Sequence, residues 1–268
     1  MSGRGRRAPT VAVGDGGLDA LGDDDRGVSN VVGYVLVFSL VTVTIGTVFA
    51  VGITGVEDRR EAERVANVER AFDVLDDNLR DVQRYDDPSR STELRLSGGT
   101  LSLAETTRFE LYNGSGGLVL EREYRSLTYR NGDTTIAYET GAWFRSDGGA
   151  AVMRSEPRFV AADNRTTIPL VLLIRDGDPR VDGDGTVQVA ASRRSNTGPD
   201  YAADDEGPFE LRIESDYADA WERYFDRTDG FPVNETATDA ADRTVVVDLT
   251  EDRVVYVPRI AIDVTLRR

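Results

Sequence analysis

The pattern of apolar and polar positions divides the chain into segments of different periodicity. The first is an apolar run of 30 residues without a charge, Gly27 to Val56. As an α-helix, the part from Val31 to Val56 would be about 39 Å long, more than the roughly 30 Å of a bilayer's hydrocarbon core. A single strand of that length would leave its backbone unpaired in lipid. The run therefore predicts a transmembrane helix over residues 28–56, rather than a buried helix in a soluble core.

A charged segment with a helical stripe of apolar residues follows over residues 57–87. Its apolar positions alternate in spacing between three and four residues, which is an a/d pattern. They are Val65, Val68, Phe72, Leu75, Leu79 and Val82. No proline separates this segment from the apolar run, so one helix is predicted from about Ser29 to Tyr85, ended by Asp86-Asp87-Pro88. We expect the stripe to face either the domain that follows or neighbouring helices.

From Glu93 onward the period changes to two, which is typical of β-strands joined by Asn-Gly, Gly-Gly and Asp-Gly turns. The predicted strands are Glu93–Leu96, Thr100–Ala104, Arg108–Tyr112, Leu118–Tyr129, Thr134–Glu139, Trp143–Arg145, Ala150–Arg154, Thr167–Ile174, Thr186–Ser192, Phe209–Glu214, Thr244–Leu249 and Val254–Leu266. One helix interrupts them, Tyr217 to Arg227, with three aromatic residues on a face that we expect to cover the sheet. The predicted fold class is α+β, with a mostly antiparallel β domain over residues 88–268.

Composition narrows the range of functions. The formal charge is −16, and all 32 basic residues are arginine, with no Lys, His or Cys. An acidic surface repels nucleic acid, so no nucleic-acid partner is expected. Missing Cys excludes disulfides and thiolate sites, and missing His removes the commonest general base and metal ligand. The chain is therefore expected not to be an enzyme and to need no cofactor. Heavy use of Asp and Glu without Lys resembles the proteins of extremely halophilic archaea.

The junction between the charged amino terminus and the apolar run reads Arg26-Gly27-Val28-Ser29-Asn30-Val31-Val32-Gly33. It resembles the amino-terminal segment of haloarchaeal type IV pilins and pilin-like proteins, although Asn30 stands where that family more often has Pro. The resemblance covers about residues 23–65. It implies that residues 1–27 are a leader, predicted to be disordered, which a prepilin peptidase removes by cutting between Gly27 and Val28. It also implies other pilin-like subunits as partners.

Small residues recur along the apolar run at Thr42, Gly46 and Ala50. Their spacing of four residues places them on one helix face, where another helix can approach closely. They are the candidate helix-packing residues. The alternative is that glycine is simply common in membrane helices.

The topology across the membrane depends on the resemblance. Arginines lie on both sides of the apolar run, so their distribution does not decide the orientation. The pilin-like leader implies a cytoplasmic amino terminus and an extracellular location for everything after Val56. Three Asn-x-Ser/Thr sequons, at Asn113, Asn164 and Asn234, agree with an external β domain and are candidate N-glycosylation sites.

Two groups of carboxylates have the residue types of a metal-binding or a catalytic site. Four aspartates lie within nine residues, Asp176, Asp178, Asp182 and Asp184. They could bind Ca²⁺. However, Arg180 and Val181 break the EF-hand pattern, so turns between strands are the preferred interpretation and no metal site is expected. Pairs among Glu121, Glu123 and Glu139 have the residue types of a glycosidase, but chance pairs are expected in so acidic a chain.

The sequence therefore favours a single-pass protein of the cell membrane, a pilin-like subunit or minor pseudopilin with a structural role. The alternative is a permanently anchored extracellular domain that binds a ligand or partner and does not polymerise. An anchored hydrolase is the weakest hypothesis, because the chain contains neither His nor Cys.

Overall fold

The computed structural model describes residues 24–84, 89–162, 165–194, 199–203, 208–239, 241–249 and 254–268. Helix α1 covers Asp24–Arg84 and is continuous, which confirms the prediction of one long helix. It begins earlier than predicted, and its expected end at residues 86–88 lies outside the described residues. Contacts divide the chain into two units, residues 1–60 and 61–268. The described part of the first unit is the amino-terminal portion of α1.

Strands make up most of the second unit, with one more helix. The strands are β1 (Ser89–Leu96), β2 (Thr100–Tyr112), β3 (Leu118–Asn131), β4 (Thr134–Glu139), β5 (Ala142–Asp147), β6 (Ala150–Ser155), β7 (Val160–Ala162), β8 (Arg165–Thr167), β9 (Leu170–Arg175), β10 (Arg180–Asp182), β11 (Gly185–Arg193), β12 (Pro199–Ala203), β13 (Phe209–Glu214), β14 (Thr244–Leu249) and β15 (Val254–Arg267). Helix α2 covers Ala218–Asp226.

The central sheet has the strand order β1-β11-β15-β9-β3-β2-β13-β14. Neighbours are antiparallel except β15 and β9, which run parallel. Strands β4, β5 and β6 extend it as a meander from the second half of β3. Strand β15 is long enough to serve two sets of neighbours. Its first half pairs with β8 and β12, and its second half pairs with β9 and β11. The predicted α+β class with a mostly antiparallel sheet is confirmed.

The apolar stripe of α1 packs on one face of the sheet. All six residues that the heptad pattern predicts are at most 5% exposed. From Val68 to Val82 they share one hydrophobic cluster with residues of β1, β2, β3, β4, β5, β9, β11 and β15. We call this the α1 cluster. Of the two partners that the sequence left open for the stripe, the structure therefore selects the β strands of the same chain.

A second hydrophobic cluster, the α2 cluster, contains the buried residues of α2. Trp221, Tyr224 and Phe225 of α2 are at most 2% exposed within it, as expected for a helix that covers a sheet. Neighbouring residues of one strand alternate between the clusters: Ala137 belongs to the α2 cluster, whereas Tyr138 belongs to the α1 cluster. This alternation means that the two clusters occupy opposite faces, as the period of two requires.

A β-bulge in β2 lets one strand contribute to both faces. The pairing between β2 and β3 shifts between Leu103 and Glu105. Leu101 and Leu103 before the bulge belong to the α1 cluster, and Phe109 after it belongs to the α2 cluster, although all three positions are odd-numbered. An extra residue reverses the direction of every later side chain. The sequence prediction of two separate strands, Thr100–Ala104 and Arg108–Tyr112, was wrong in this respect, because they are one bulged strand.

Several short strands were not predicted. Strands β7, β8, β10 and β12 are three to five residues long. Segments this short carry too few alternations for a period of two to be recognised.

The predicted domain boundary before residue 88 separates the helical stripe from the strands. In the structure, the stripe and the strands belong to the same hydrophobic cluster and therefore share one core.

We predict that Phe72→Asp strongly destabilises residues 61–268. Phe72 is 0% exposed, with its ring centroid 6.3 Å from that of Trp143. Loss of the ring, together with burial of an unpaired charge, should lower the free energy of unfolding by about 3–5 kcal/mol or more. Urea unfolding of the full chain in detergent, followed by tryptophan fluorescence, measures this. The control is Val74→Asp on the same helix, where the side chain is 53% exposed, and it should cost less than about 0.5 kcal/mol. Equal stabilities of the two variants would contradict the packing.

Candidate functional site

The first candidate site is the apolar surface of α1. The segment Asn30–Ala50 is long enough and apolar enough to cross a membrane, and none of it is buried. Its large hydrophobic side chains, from Val31 to Phe49, are between 49% and 75% exposed. Soluble monomers rarely expose a continuous apolar patch of more than a few hundred Å². This surface is compatible with an apolar environment, such as lipid or other apolar helices.

Hydroxyl groups within this segment are satisfied by the helix itself. The side chains of Thr42, Thr44 and Thr47 each donate a hydrogen bond of 2.8 Å to the backbone carbonyl four residues earlier. A hydroxyl group without a partner is costly in a medium that lacks water. Back-bonding of this kind removes that cost, so these threonines are compatible with an apolar surrounding.

The predicted helix-packing residues lie on the exposed surface of this segment. Thr42, Gly46 and Ala50 are all exposed on α1. A Cβ atom added at Gly46 would meet no atom within 4 Å, so nothing within the chain requires glycine there. The spacing of four residues keeps the three positions on one face of the helix. A second helix could approach this face closely.

The predicted leader junction lies within α1. Gly27 and Val28 belong to its first turns, and the side chain of Val28 lies outside the described part of the chain. Residues 1–23 of the predicted leader lie outside the described residues altogether.

Two of the three sequons lie in described turns, and both are half-buried. Asn113 lies in the turn between β2 and β3, where its Oδ1 accepts hydrogen bonds from Ser115 Oγ at 2.8 Å and from the Gly117 amide at 2.7 Å. Asn234 lies before β14, and its Nδ2 donates to Asp248 Oδ1 at 3.3 Å. Asn164 lies outside the described residues.

The acidic loop is tied to the strands by its own residues. Asp182 Oδ1 accepts hydrogen bonds from Thr100 at 2.6 Å and from Arg180 at 2.7 Å, and both interactions lower the pKa of Asp182. Asp176 accepts a hydrogen bond of 3.2 Å from Thr265. Within the described ranges no group of three or more acidic side chains is placed to hold a metal ion. Asp182 is the last residue of β10, and the other three aspartates lie in the connections on either side of that strand.

The three glutamates considered as catalytic residues do not form one site. Glu121 and Glu123 are about half exposed, and both pair with Arg108. Glu139, by contrast, is only 1% exposed. A substrate therefore cannot reach Glu139 together with either of the others without unfolding its surroundings.

Glu139 is the centre of a buried polar network that the sequence did not predict. Its Oε1 accepts hydrogen bonds from Ser215 Oγ and Trp221 Nε1, both at 2.6 Å. Its Oε2 accepts one from Thr107 Oγ1 at 2.7 Å and one from Ser126 Oγ at 3.3 Å. The four donors come from β2, β3, the residues before α2, and α2 itself. No local motif links positions so far apart, so only the folded chain reveals the network.

Burial dominates the electrostatics of this network. Removal of water around the carboxylate raises the pKa of Glu139, and the four hydrogen bonds offset this only in part. Burial raises the pKa of Tyr124 as well, and the negative charge of Glu139 adds to the effect. The arrangement connects α2 to the sheet.

The family model that matches this chain is that of a family of unknown function (DUF7289), over residues 26–265. The chain belongs to this family. The matched region begins directly before the apolar run, so it includes the exposed helical segment as well as the strands. No curated protein and no solved structure matches the chain.

We predict that Glu139→Gln changes how stability depends on pH. Because burial raises the pKa of Glu139, the folded state holds more protons than the unfolded state between the two pKa values. The contribution of Glu139 to the free energy of unfolding therefore falls as pH rises above about 4, by up to about 1.4 kcal/mol per pH unit. Gln does not titrate, so the variant should gain stability relative to wild type over that interval. Urea unfolding from pH 4 to 8 tests this.

The control for this experiment is Glu93→Gln, on an exposed position of β1. At pH 7 it should unfold as the wild-type chain does, because a surface substitution away from buried contacts changes little. A constant difference in stability between wild type and Glu139→Gln at every pH would contradict the assignment of a raised pKa to this carboxyl.

Proposed function

We propose that this chain is a single-pass, membrane-anchored surface protein of pilin-like type, with a structural role. The observation that carries the proposal is the segment Asn30–Ala50, whose large apolar side chains are exposed on every side of the helix. Burying that surface in lipid or among other helices is strongly favourable, at about 25 cal/mol per Å². The satisfied threonine hydroxyls of the same segment favour such an environment further.

The pilin-like part of the proposal is supported by the different apolar surfaces of the two parts of α1. Residues 65–82 are apolar along one stripe and pack on the sheet, whereas residues 30–50 are apolar all round. The second part is thereby committed to the domain, and the first part remains available to lipid or to equivalent helices of other subunits. The charged-to-apolar junction at Gly27 and Val28 provides the place where a prepilin peptidase would release the helix end. The family match begins at that junction, at residue 26.

In this proposal the amino terminus is cytoplasmic and residues 57–268 are extracellular. The half-buried sequons Asn113 and Asn234, both in turns on the surface of the β domain, are consistent with it. A structural role is favoured over catalysis because Glu139, whose pKa is raised by burial, is enclosed by four hydrogen-bond donors.

The second candidate function is a permanently anchored domain that binds a ligand and does not polymerise. A specific observation favours it, namely a groove of about 650 Å³ at one end of the β domain, lined by residues of β2, β13 and β14. This volume lies within the usual range of small-molecule sites. The two functions share the anchor and differ in whether the helix ever leaves the membrane.

The first experiment on this proposal concerns the leader. We predict that the mature protein begins at Val28, so intact-mass analysis of protein from native membranes should lack residues 1–27. Gly27→Phe should prevent the cut, because the position before it must be small. Ser39→Phe is the matched control, since Ser39 is exposed on α1 and lies outside the junction from Arg26 to Gly33. Mature wild-type protein that retains residues 1–27 would favour the permanent anchor.

The second experiment concerns assembly. We predict that Gly46→Leu inserts into membranes as wild type does, because Leu is favourable in a bilayer. It should nevertheless weaken self-association by at least several-fold, because it fills the face formed by Thr42, Gly46 and Ala50. Crosslinking in membranes and in sheared surface material measures both properties.

The matched control for assembly is Thr44→Leu, which lies two residues away and therefore on nearly the opposite side of the helix. It should leave crosslinking unchanged. Equal crosslinking in all three proteins, with nothing released by shear, would overturn the assembly proposal and leave a static anchor.

A further inference from the structure

The groove between β2, β13 and β14 has one apolar side and one polar side. The apolar side includes Phe209 and Leu249, which are at most 3% exposed and belong to the α2 cluster, together with Pro208 and Pro232. The polar side carries the Glu210 and Asp248 carboxylates and the Arg212 guanidinium. A ligand that fits must therefore combine an apolar face with many hydrogen-bonding groups.

The Arg212 guanidinium lies over one face of the Tyr112 ring within the groove. The guanidinium carbon of Arg212 lies 5.1 Å from the ring centroid of Tyr112, and Arg212 Nη2 donates to Glu210 Oε1 at 2.8 Å. The Tyr112 hydroxyl donates to Glu110 Oε2 at 2.9 Å. Each polar group is thus fixed by a neighbour before any ligand arrives, which lowers the entropy cost of binding.

The turn that closes one end of the groove is held by a close approach of two backbone segments. A Cβ atom on Gly114 would lie 2.9 Å from Pro208 Cδ and 3.1 Å from the Pro208 carbonyl oxygen. Only glycine allows this contact, and it brings the turn with Asn113 against the start of β13. A smaller cavity of about 270 Å³ shares Tyr112 and Arg212 with the groove, so the site is extended along the sheet.

The charges of the lining exclude several classes of ligand. Two carboxylates against one guanidinium, in a chain of charge −16, disfavour an anion. Within the described residues no acidic cluster is arranged for a metal ion. A wholly apolar ligand would displace water from the carboxylates of Glu210 and Asp248, and the one hydrogen bond that each accepts, from Arg212 and from Asn234, would not replace it fully. A neutral polyol is complementary to both sides of the groove, because its C–H faces can pack on the apolar side and its hydroxyl groups can form hydrogen bonds with the polar side.

We propose that this groove is a saccharide-binding site, with Tyr112 as the stacking platform and Glu210, Arg212, Asp248 and Asn113 as hydrogen-bonding groups. In this proposal the pyranose C–H face packs on the face of the Tyr112 ring opposite Arg212, and paired hydroxyls are bound by the planar carboxylate, guanidinium and amide groups. This inference goes beyond the proposed anchoring and assembly, because it concerns the β domain and can fail while the anchor remains.

Two sources can supply the saccharide: a glycan of the chain itself, or a saccharide from elsewhere on the cell surface. The two sequons within the described residues lie close enough to the groove for the first source. Asn113 lines the groove, and Asn234 donates to Asp248, which also lines it. Residues 121 positions apart in the sequence are therefore brought to one rim. A glycan linked at either asparagine can reach the groove of its own chain, and a saccharide from elsewhere on the cell surface is the other source.

The test uses the full chain in detergent, produced in a host that does not glycosylate it. The probes are the methyl glycosides of glucose, mannose and galactose, and N-acetylglucosamine, followed by saturation-transfer NMR and titration. At least one should bind to wild type. Tyr112→Ala should weaken that binding by about tenfold, because the platform is lost. Tyr112→Phe retains the ring and should bind within about threefold of wild type, which separates loss of the platform from misfolding.

The matched control is Tyr256→Ala, a half-buried tyrosine of β15 outside the groove, and it should bind the probe as wild type does. Protein from native membranes distinguishes the sources. Ser115→Ala and Thr236→Ala remove the two sequons while keeping Asn113 and Asn234 in place. Binding that appears only in these variants identifies the chain's own glycan as the occupant, whereas binding to unaltered native protein identifies an external saccharide. Absence of binding to the unglycosylated chain, equal binding by Tyr112→Ala, or binding of an arginine-rich peptide in place of every sugar would overturn the proposal. None of these outcomes depends on leader cleavage or crosslinking.

Discussion

Packing of the apolar stripe of α1 on the sheet is the interaction on which the rest of residues 61–268 depends. A sheet with two apolar faces must cover both of them. The nine-residue helix α2 covers one face, and the other needs the stripe from Val68 to Val82. Without it, large side chains such as Leu94 and Tyr138 would meet water. The stripe therefore cannot leave the sheet, and only the earlier turns of α1 are free to contact lipid or another subunit.

Each helix is joined to the sheet by an apolar stripe and by one buried carboxylate. On α2 the partner is Glu139, which binds Trp221 and Ser215. On α1 it is Asp76, which is 3% exposed, accepts a 2.6 Å hydrogen bond from Ser155 of β6 and pairs with Arg80 at 3.0 Å. Burial raises the pKa of both carboxyls. Such groups contribute little net stability, but a misplaced helix would leave them unpaired, so they favour one arrangement over its neighbours.

The acidic side chains of the domain form ion pairs with arginine. Asp200 illustrates this, because its side chain is 3% exposed and pairs with Arg122 at 2.9 Å and with Arg259 at 3.1 Å, which connects β12 to β3 and β15. The planar guanidinium group offers several fixed donors, and this suits paired carboxylates better than a lysine ammonium does. Exposed pairs such as Arg180 with Asp182 contribute little, since solvent and salt screen them. The stability of the domain therefore comes mainly from its two apolar clusters.

The sequence by itself determined the elements whose signal is local. The long helix, its stripe, most of the strands and the aromatic face of α2 follow from periods that neighbouring residues display together. The apolar run likewise indicated an apolar environment, because its length and composition fix the transfer free energy. For the candidate site, the small-residue face on α1 was predictable for the same reason.

Only the tertiary structure decided which surfaces meet. The stripe of α1 packs on the sheet, and β2 is one strand with a bulge. Glu139 accepts hydrogen bonds from donors as far apart in the sequence as residues 107 and 221. The tertiary structure also brought Asn113 into the lining of one groove and Asn234 against Asp248 of the same lining. These features depend on strand order and on a single inserted residue, and contacts between distant positions leave no periodic trace in the chain.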